Sequence, residues 1–143
     1  MKIFKNLLKS DEVIMYTSST CKYCTLVKDE FKKQKRKFTE KDILKNPKEW
    51  GSLVDLSNMP MTPAISYRGK NFFPGRDFPS PEILMKILDN FKQSDNEVTD
   101  KTYELILTLN HNINTAFGRL DQRLRQIEIK INKEEKDEHK STD

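Results

Sequence analysis

The sequence has few cysteines, few glycines and no long apolar run. Its 143 residues include only 2 Cys, 4 Gly and 2 His. Two cysteines cannot form the disulfide framework of a small secreted domain. The longest uninterrupted apolar run, Val13–Tyr16, is far too short to cross a membrane, and the N-terminus lacks an apolar stretch of signal-peptide length. We therefore expect a cytoplasmic protein with no membrane contact.

Several common enzyme motifs are also missing. The chain has no glycine-rich phosphate loop, no pair of carboxylates at a spacing suited to acid–base catalysis and no hydrolase triad pattern. Both histidines, His111 and His139, lie far along the chain from the cysteines. Zinc or iron–sulfur ligation therefore has few ligands to draw on, and we expect no metal site. The length suits one ordinary domain with an extension, or two very small domains.

Charge and composition divide the chain in two. Residues 1–93 carry 18 basic and 11 acidic residues, a net charge of +7, whereas residues 94–143 carry 8 and 11, a net charge of −3. All the prolines, both cysteines and the single tryptophan lie in the first part. The polar run Ser94–Glu97 marks the break, so residues 94–101 are expected to be a linker.

The first part alternates strand and helix signals. The candidate elements are a strand at Val13–Thr17, a helix at Cys24–Lys35 after the cap cluster Ser18–Thr20, a strand at Lys37–Asp42, a helix from Asn46-Pro47, a strand at Ala64–Tyr67, a turn at Arg68–Lys70, a strand at Asn71–Phe73 and a helix from Ser80-Pro81. A short helix is also expected at Ile3–Leu8. The order β-α-β-α-β-β-α predicts an α/β fold, with a four-stranded mixed sheet flanked by helices.

A Cys-x-x-Cys motif, Cys21-Lys22-Tyr23-Cys24, lies between the first strand and the first helix. A helix N-terminus presents unpaired N–H groups and the positive end of the helix dipole, and both stabilise a thiolate. Lys22 adds positive charge beside it. Cys24, further into the helix, is placed to attack a mixed disulfide formed at Cys21. The position predicts Cys21 as the nucleophile and Cys24 as the resolving thiol.

Two later segments could face this motif. Thr62-Pro63 precedes the third strand, where proline can adopt the cis form and the Thr62 backbone could offer an edge to an extended substrate. Gly75-Arg76-Asp77 follows the hairpin, where Arg76 or Asp77 could pair with substrate termini. An ordinary turn at Thr62-Pro63 and a solvated surface pair at Arg76-Asp77 are the alternatives.

Together these motifs resemble a glutaredoxin, within the thioredoxin-like fold, from about Val13 to Phe91. The resemblance implies thiol–disulfide exchange on disulfide-bearing protein substrates or on mixed disulfides, with no resident cofactor. The substrate-contacting residues would be Lys22, Tyr23, Thr62, Pro63, Arg76 and Asp77. Many family members carry Lys three residues before the first Cys, where this chain has Ser18. The electron donor therefore stays open between glutathione, another low-molecular-weight thiol and a thioredoxin-type reductant.

The C-terminal part predicts a coiled-coil helix at residues 102–133. Apolar residues alternate at intervals of three and four over four heptads, and one polar residue, Asn110, interrupts position a. We expect a homo-oligomer, a tetramer first and a dimer second, with a disordered tail at residues 134–143. A helix that folds back on its own domain or binds a foreign helix is the alternative. The heptad positions are a, Tyr103, Asn110, Phe117, Leu124 and Ile131, and d, Ile106, Ile113, Leu120 and Ile127.

A basic run and the C-terminal helix each suggest a possible partner. The basic run Lys32–Lys37 lies at a predicted helix C-terminus, where cations suit the dipole, and no aromatic residues interleave it. We therefore expect a solvated helix end and no nucleic-acid partner. The alternative to an enzyme is a redoxin-fold scaffold that recruits or regulates a partner complex through the C-terminal helix.

Overall fold

The computed structural model describes residues 11–92 and 100–140. Its elements are β1 (Ile14–Thr17), α1 (Lys22–Lys33), β2 (Thr39–Asp42), α2 (Pro47–Ser57), β3 (Ala64–Tyr67), β4 (Lys70–Phe72), α3 (Pro81–Asn90) and α4 (Asp100–Lys140). This order confirms the β-α-β-α-β-β-α arrangement expected from the sequence. The expected helix at Ile3–Leu8 and most of the expected linker lie outside the described residues.

The four strands form one mixed sheet in the order β2-β1-β3-β4. β1 pairs with β2 in parallel and with β3 in antiparallel orientation, and β3 pairs with β4 in a hairpin. The turn of the hairpin places Arg68 and Gly69 at φ values of 47° and 76°. Positive φ at both central residues is the geometry that matches the twist of a two-residue hairpin, and glycine adopts it without steric cost.

Alternate residues of the central strands supply two separate cores, one on each face of the sheet. Met15 and Ile65 join the larger core, which also contains Val27 and Phe31 of α1 and Leu84 of α3. On the opposite face lies a smaller core, whose buried residues are Tyr16, Leu53, Met59, Ala64 and Phe73. Because side chains of a strand alternate between faces, the sheet becomes the middle layer between α2 on one side and α1 with α3 on the other.

The helix starts follow local chemistry. Pro47 and Pro81 begin α2 and α3 as expected, and the Ser80 hydroxyl accepts a hydrogen bond from the Ile83 N–H. Asn46 occupies the cap position of α2 without capping it, because its amide donates to the carbonyl of Asp42 at 2.9 Å. The expected cap cluster of the first helix is wrong by one position: Cys21, and not Ser18–Thr20, caps α1.

The C-terminal helix is longer than the sequence predicts. It runs from Asp100 to Lys140, whereas the predicted helix covers residues 102–133 and the predicted tail 134–143. Lysine and glutamate are good helix formers, so the polar run after Ile131 continues the helix without an apolar face. The chain divides into two compact units, one ending at Thr108 and one beginning at Leu109. The first turns of α4 therefore belong to the same unit as the sheet.

Within the described parts of the chain, no helix is long and apolar enough to cross a membrane.

Candidate functional site

The two cysteines form a disulfide at the N-terminus of α1. The Sγ atoms of Cys21 and Cys24 are bonded, and their Cα atoms lie 5.3 Å apart. Cys21 has an extended backbone and its Sγ accepts a hydrogen bond from the Cys24 N–H at 3.1 Å, so the sulfur itself caps the helix. The Cys21 N–H donates in turn to the Ser18 carbonyl at 3.2 Å, which closes the turn between β1 and α1.

The two sulfurs have different surroundings. Cys21 is partly exposed, whereas Cys24 is only 1% exposed and faces the interior. Cys21 is therefore accessible from solvent and Cys24 is not. The helix N-terminus directs free N–H groups and the positive end of its dipole toward Cys21, which favours the thiolate when the disulfide is reduced. The roles of nucleophile and resolving thiol stay a prediction at this point.

The proline-bearing loop lies beside the cysteine loop. In the antiparallel ladder Ile14 pairs with Ser66 and Tyr16 with Ala64, so continuing the same register places Ser18 opposite Thr62. Their hydroxyl oxygens are 3.4 Å apart. The Thr62–Pro63 peptide bond is cis, and Pro63 is buried whereas Thr62 is partly exposed.

Ser18 is the site residue that sequence reasoning passed over as a contributor. In the sequence it was assigned to the expected cap cluster Ser18–Thr20 and noted as a departure from the lysine that many glutaredoxins carry. Its hydroxyl connects the loop before Cys21 to the loop before β3, across 44 positions of sequence. The register of β1 against β3 is the signal that would have paired Ser18 with Thr62. The residue numbers of each antiparallel pair add up to 80, as for Ile14 with Ser66, and those of Ser18 and Thr62 do so as well.

The two residues between the cysteines, Lys22 and Tyr23, differ in exposure. Lys22 is exposed, while Tyr23 is partly buried and packs against the larger core. Burial raises the pKa of the Tyr23 phenol, and the negative charge of nearby Glu82 adds to the rise. Glu82 itself has a lowered pKa, chiefly through its hydrogen bond with the Ser80 side chain. The start of α3 thus brings a carboxylate near the motif.

Arg76 is directed into the protein, in contrast to the substrate-facing or surface role expected from the sequence. Its side chain is 1% exposed and lies over the Phe73 ring. The guanidinium donates to the Asn71 carbonyl at 2.8 Å and pairs with Asp77 at 2.8 Å and Glu104 at 2.7 Å. With its donors committed to partners inside the fold, Arg76 has no free face to offer a ligand.

Asp77 also has a structural task. Its Oδ2 accepts the Phe73 N–H at 2.7 Å in addition to the Arg76 contact. The side chain therefore holds the turn between β4 and α3 in shape. Gly75 has φ of 78° in the same turn, a conformation that glycine adopts readily. The Gly75-Arg76-Asp77 motif forms a turn, called the Gly75-Arg76-Asp77 corner below. Contacts of both charged side chains with the rest of the fold stabilise this turn.

Two partners of Arg76, Glu104 and Thr108, lie in the first turns of α4. Glu104 is 2% exposed, and Thr108 donates from its hydroxyl to the Ser57 carbonyl at 2.6 Å while accepting from Arg76 at 3.1 Å. Burial raises the pKa of the Glu104 carboxyl, and the Arg76 charge opposes part of that rise. The sequence placed residue 104 at an outer heptad position, so this burial was not expected.

Across residues 11–92 and 101–136, no three His, Cys, Asp or Glu side chains are grouped so as to hold a metal ion.

Comparison with known proteins agrees with this geometry. Residues 13–72 match the family model for glutaredoxin, and comparison with curated proteins found no match. The matched region contains β1 to β4, the cysteine pair and the Thr62-Pro63 loop, but ends before the Gly75-Arg76-Asp77 corner. The chain therefore contains a glutaredoxin domain at residues 13–72, with the Cys21–Cys24 pair inside it and a long helix after it.

Proposed function

We propose that the protein is a thiol–disulfide oxidoreductase of glutaredoxin type. The observation that carries the proposal is the asymmetry of the pair: Cys21 is partly exposed at the N-terminus of α1 and Cys24 is buried behind it. A glutaredoxin domain supports thiol redox chemistry in general. The proposal adds the roles of the two sulfurs, the class of substrate and the class of electron donor.

The reaction begins with the reduced pair. The Cys21 thiolate attacks one sulfur of a substrate disulfide, a Cys21–substrate mixed disulfide forms, and the other substrate sulfur leaves as a thiolate that takes up a proton. Cys24 then loses its proton and attacks the Cys21 sulfur, the bond between Cys21 and the substrate breaks, and the second substrate sulfur leaves as a thiolate that takes up a proton. Two electrons pass from the pair to the substrate, and the product is the Cys21–Cys24 disulfide seen in the structure.

Local geometry favours the first step over attack by Cys24. The Cys24 N–H that donates to the Cys21 sulfur in the disulfide would donate to a Cys21 thiolate in the reduced protein. A hydrogen bond to an ionised acceptor is stronger than one to a neutral acceptor, which lowers the free energy of the thiolate. Cys24 is 1% exposed, and burial disfavours the charged form of a thiol. It becomes a nucleophile only after Cys21 carries a substrate.

The surface around Cys21 would receive the substrate. Lys22 and Tyr23 lie within the motif and Thr62 lies on the loop beside it, and the Thr62 backbone could pair with an extended segment of the partner. Pro63 is buried, so it would shape this loop and would not contact the substrate through its side chain. We leave Arg76 and Asp77 out of this set, because both side chains are used inside the fold.

Two molecules of a small thiol such as glutathione, or one dithiol reductant of thioredoxin type, would return the pair to the reduced state. Either donor belongs to a reducing compartment, so the proposal keeps the cytoplasm as the expected location. We propose that the substrates are disulfide-bearing proteins or mixed disulfides and that the protein carries no resident cofactor.

Three variants test the assignment. Cys21→Ser should abolish reduction of a glutathionylated peptide. Cys24→Ser should accumulate a mixed disulfide with that peptide, detected by mass spectrometry as the added mass on the protein. Ser19→Ala serves as the matched control, since Ser19 lies in the same loop and is exposed. Full activity in the Cys21→Ser variant would contradict the proposal.

The donor is identified by a panel. The wild-type protein is oxidised, and its reduction is followed with glutathione, with a second monothiol and with thioredoxin reductase in parallel. The scaffold alternative predicts background rates with all three, and it also predicts that alkylation of Cys21 shows no thiolate near neutral pH.

A further inference from the structure

An apolar seam runs along the second compact unit of the chain, which begins at Leu109. Its members recur at heptad positions a and d, and every one is exposed in the single chain, from Ile113 at 45% to Phe117 at 67%. Such a row of large apolar side chains is costly to leave in water, since each one that is covered gains the free energy of burial. The seam consists of Asn110, Ile113, Phe117, Leu120, Leu124, Ile127 and Ile131.

The charges beside the seam are sorted by sign. Position e carries only acidic charges, at Asp121, Glu128 and Glu135, and position g carries basic charges, at Arg123 and Lys130. These positions lie at the edges of a coiled-coil interface, where charges set the partner and its orientation. A foreign partner would need the complementary pattern, whereas a second copy of this chain already has it.

The sorting distinguishes parallel from antiparallel pairing. In a parallel, in-register pair, position g of one chain lies beside position e of the next heptad of its partner. Arg123 then meets Glu128, and Lys130 meets Glu135, so all these contacts join opposite charges. In an antiparallel pair, g meets g and e meets e, which joins basic to basic and acidic to acidic.

We propose that residues 109–136 associate with other copies of this chain as a parallel, in-register coiled coil. Opposite charges at e and g stabilise that arrangement, and like charges oppose the antiparallel one. Two of the three d positions of the seam are isoleucine, at Ile113 and Ile127, and one a position is leucine, at Leu124. Isoleucine at d with leucine at a favours four chains over two.

The first compact unit, which ends at Thr108 and contains the glutaredoxin domain, is called the glutaredoxin unit below. Because parallel helices begin at the same end of the bundle, the glutaredoxin unit of every copy is attached at that end, which raises the local concentration of Cys21–Cys24 pairs. This proposal is independent of the thiol chemistry.

The first experiment measures the mass of the full chain by sedimentation, with a reductant present so that no disulfide links the copies. We expect a tetramer or a dimer of the 16.9 kDa chain at micromolar concentration. Leu120→Lys, in the middle of the seam, should give a monomer. Ile129→Lys is the matched control, because Ile129 is a similarly exposed apolar residue at outer position f, and it should leave the mass unchanged. A monomeric wild type would overturn the proposal.

The second experiment tests direction by charge reversal. Arg123→Glu with Lys130→Glu makes both edges acidic and should weaken association by about tenfold or more. Adding Glu128→Lys and Glu135→Lys restores opposite charges across a parallel interface and should restore association. The control Arg119→Glu with Lys133→Glu applies the same charge change at position c, away from the seam.

An antiparallel assembly gives a different pattern. There the wild-type edges already repel, so reversing only the basic edge exchanges one like-charge contact for another and leaves association unchanged. That outcome, or a quadruple variant that fails to regain association, would overturn the parallel arrangement. Circular dichroism of each variant confirms that the helix is retained, and the fluorescence of Trp50 in α2 shows that the glutaredoxin unit of the monomer is folded.

Discussion

The buried ion pair between Arg76 and Glu104 makes a quantitative prediction about stability. The two side chains are 1% and 2% exposed, and the closest charged atoms are 2.7 Å apart. In Glu104→Ala the guanidinium stays buried and loses its strongest partner. Breaking a buried pair in this way typically costs about 3–5 kcal/mol. Arg76 keeps Asp77 and the Asn71 carbonyl, so we expect about 3 kcal/mol, the lower end of that range.

The measurement is urea denaturation of the full chain at fixed concentration, followed by fluorescence. Trp50 is the only tryptophan and lies in α2, so the signal reports on the glutaredoxin unit. With an m value of about 1.5 kcal/mol/M, a loss of about 3 kcal/mol lowers the midpoint by about 2 M. Asp55→Ala removes an exposed carboxylate from the same helix as Trp50 and should change the free energy of unfolding by less than about 0.5 kcal/mol.

A double variant separates the contribution of the ion pair to stability from the contribution of side-chain packing. Arg76→Met with Glu104→Leu removes both charges and fills the space with apolar side chains, which is often close to neutral for a buried pair. It should recover at least half of the loss seen in Glu104→Ala. If Glu104→Ala unfolds at the same urea concentration as Asp55→Ala, the Arg76–Glu104 pair does not stabilise the glutaredoxin unit, and the predicted loss of about 3 kcal/mol is wrong.

Three further predictions concern the same unit. Burial raises the Glu104 pKa above its ordinary 4.5, so just above that pH the folded protein binds more protons than the unfolded chain. The free energy of unfolding of the wild type should therefore fall relative to that of Glu104→Gln as the pH rises from 4.5; a wild-type value that stays constant or rises relative to the variant would contradict this. Thr108→Val keeps the shape but removes the hydrogen bond to the Ser57 carbonyl, and should cost about 1–3 kcal/mol in urea denaturation; a cost below that of Asp55→Ala argues against the contact. Burial, with Glu49 nearby, raises the pKa of Tyr16 to about 12, so absorbance titration at high pH should show one tyrosine ionising well after the others, and a late step that persists in Tyr16→Phe would exclude this assignment.

Local patterns were sufficient for most of the glutaredoxin unit. β1, β3 and β4 show apolar residues at buried positions, whereas β2 has none. Each proline at a helix start marks a true first turn. The Cys-x-x-Cys motif was assigned correctly to the junction of β1 and α1 because strand and helix signals meet there. The cap of α1 was misassigned, since a serine is the usual capping residue and a sulfur in that role follows only from the backbone geometry at Cys21.

The Arg76-Asp77 pair shows where local reasoning fails. Two adjacent opposite charges in a turn look the same in sequence whether they face water, a substrate or the interior. Their surroundings include Thr108, which bonds to Ser57 across 51 positions of the chain. No periodicity or spacing rule connects such distant residues, because the contact depends on how separate elements pack.

The sequence by itself determined the element order, the position of the two cysteines at a helix start and the heptad seam of the C-terminal helix, since each depends on neighbours within about two turns or one strand. Only the tertiary structure decided which sulfur is exposed, that Ser18 lies opposite Thr62, and that α4 begins as part of the glutaredoxin unit. Burial and long-range pairing set these features, because they follow from the relative positions of elements and not from the preferences of any one of them.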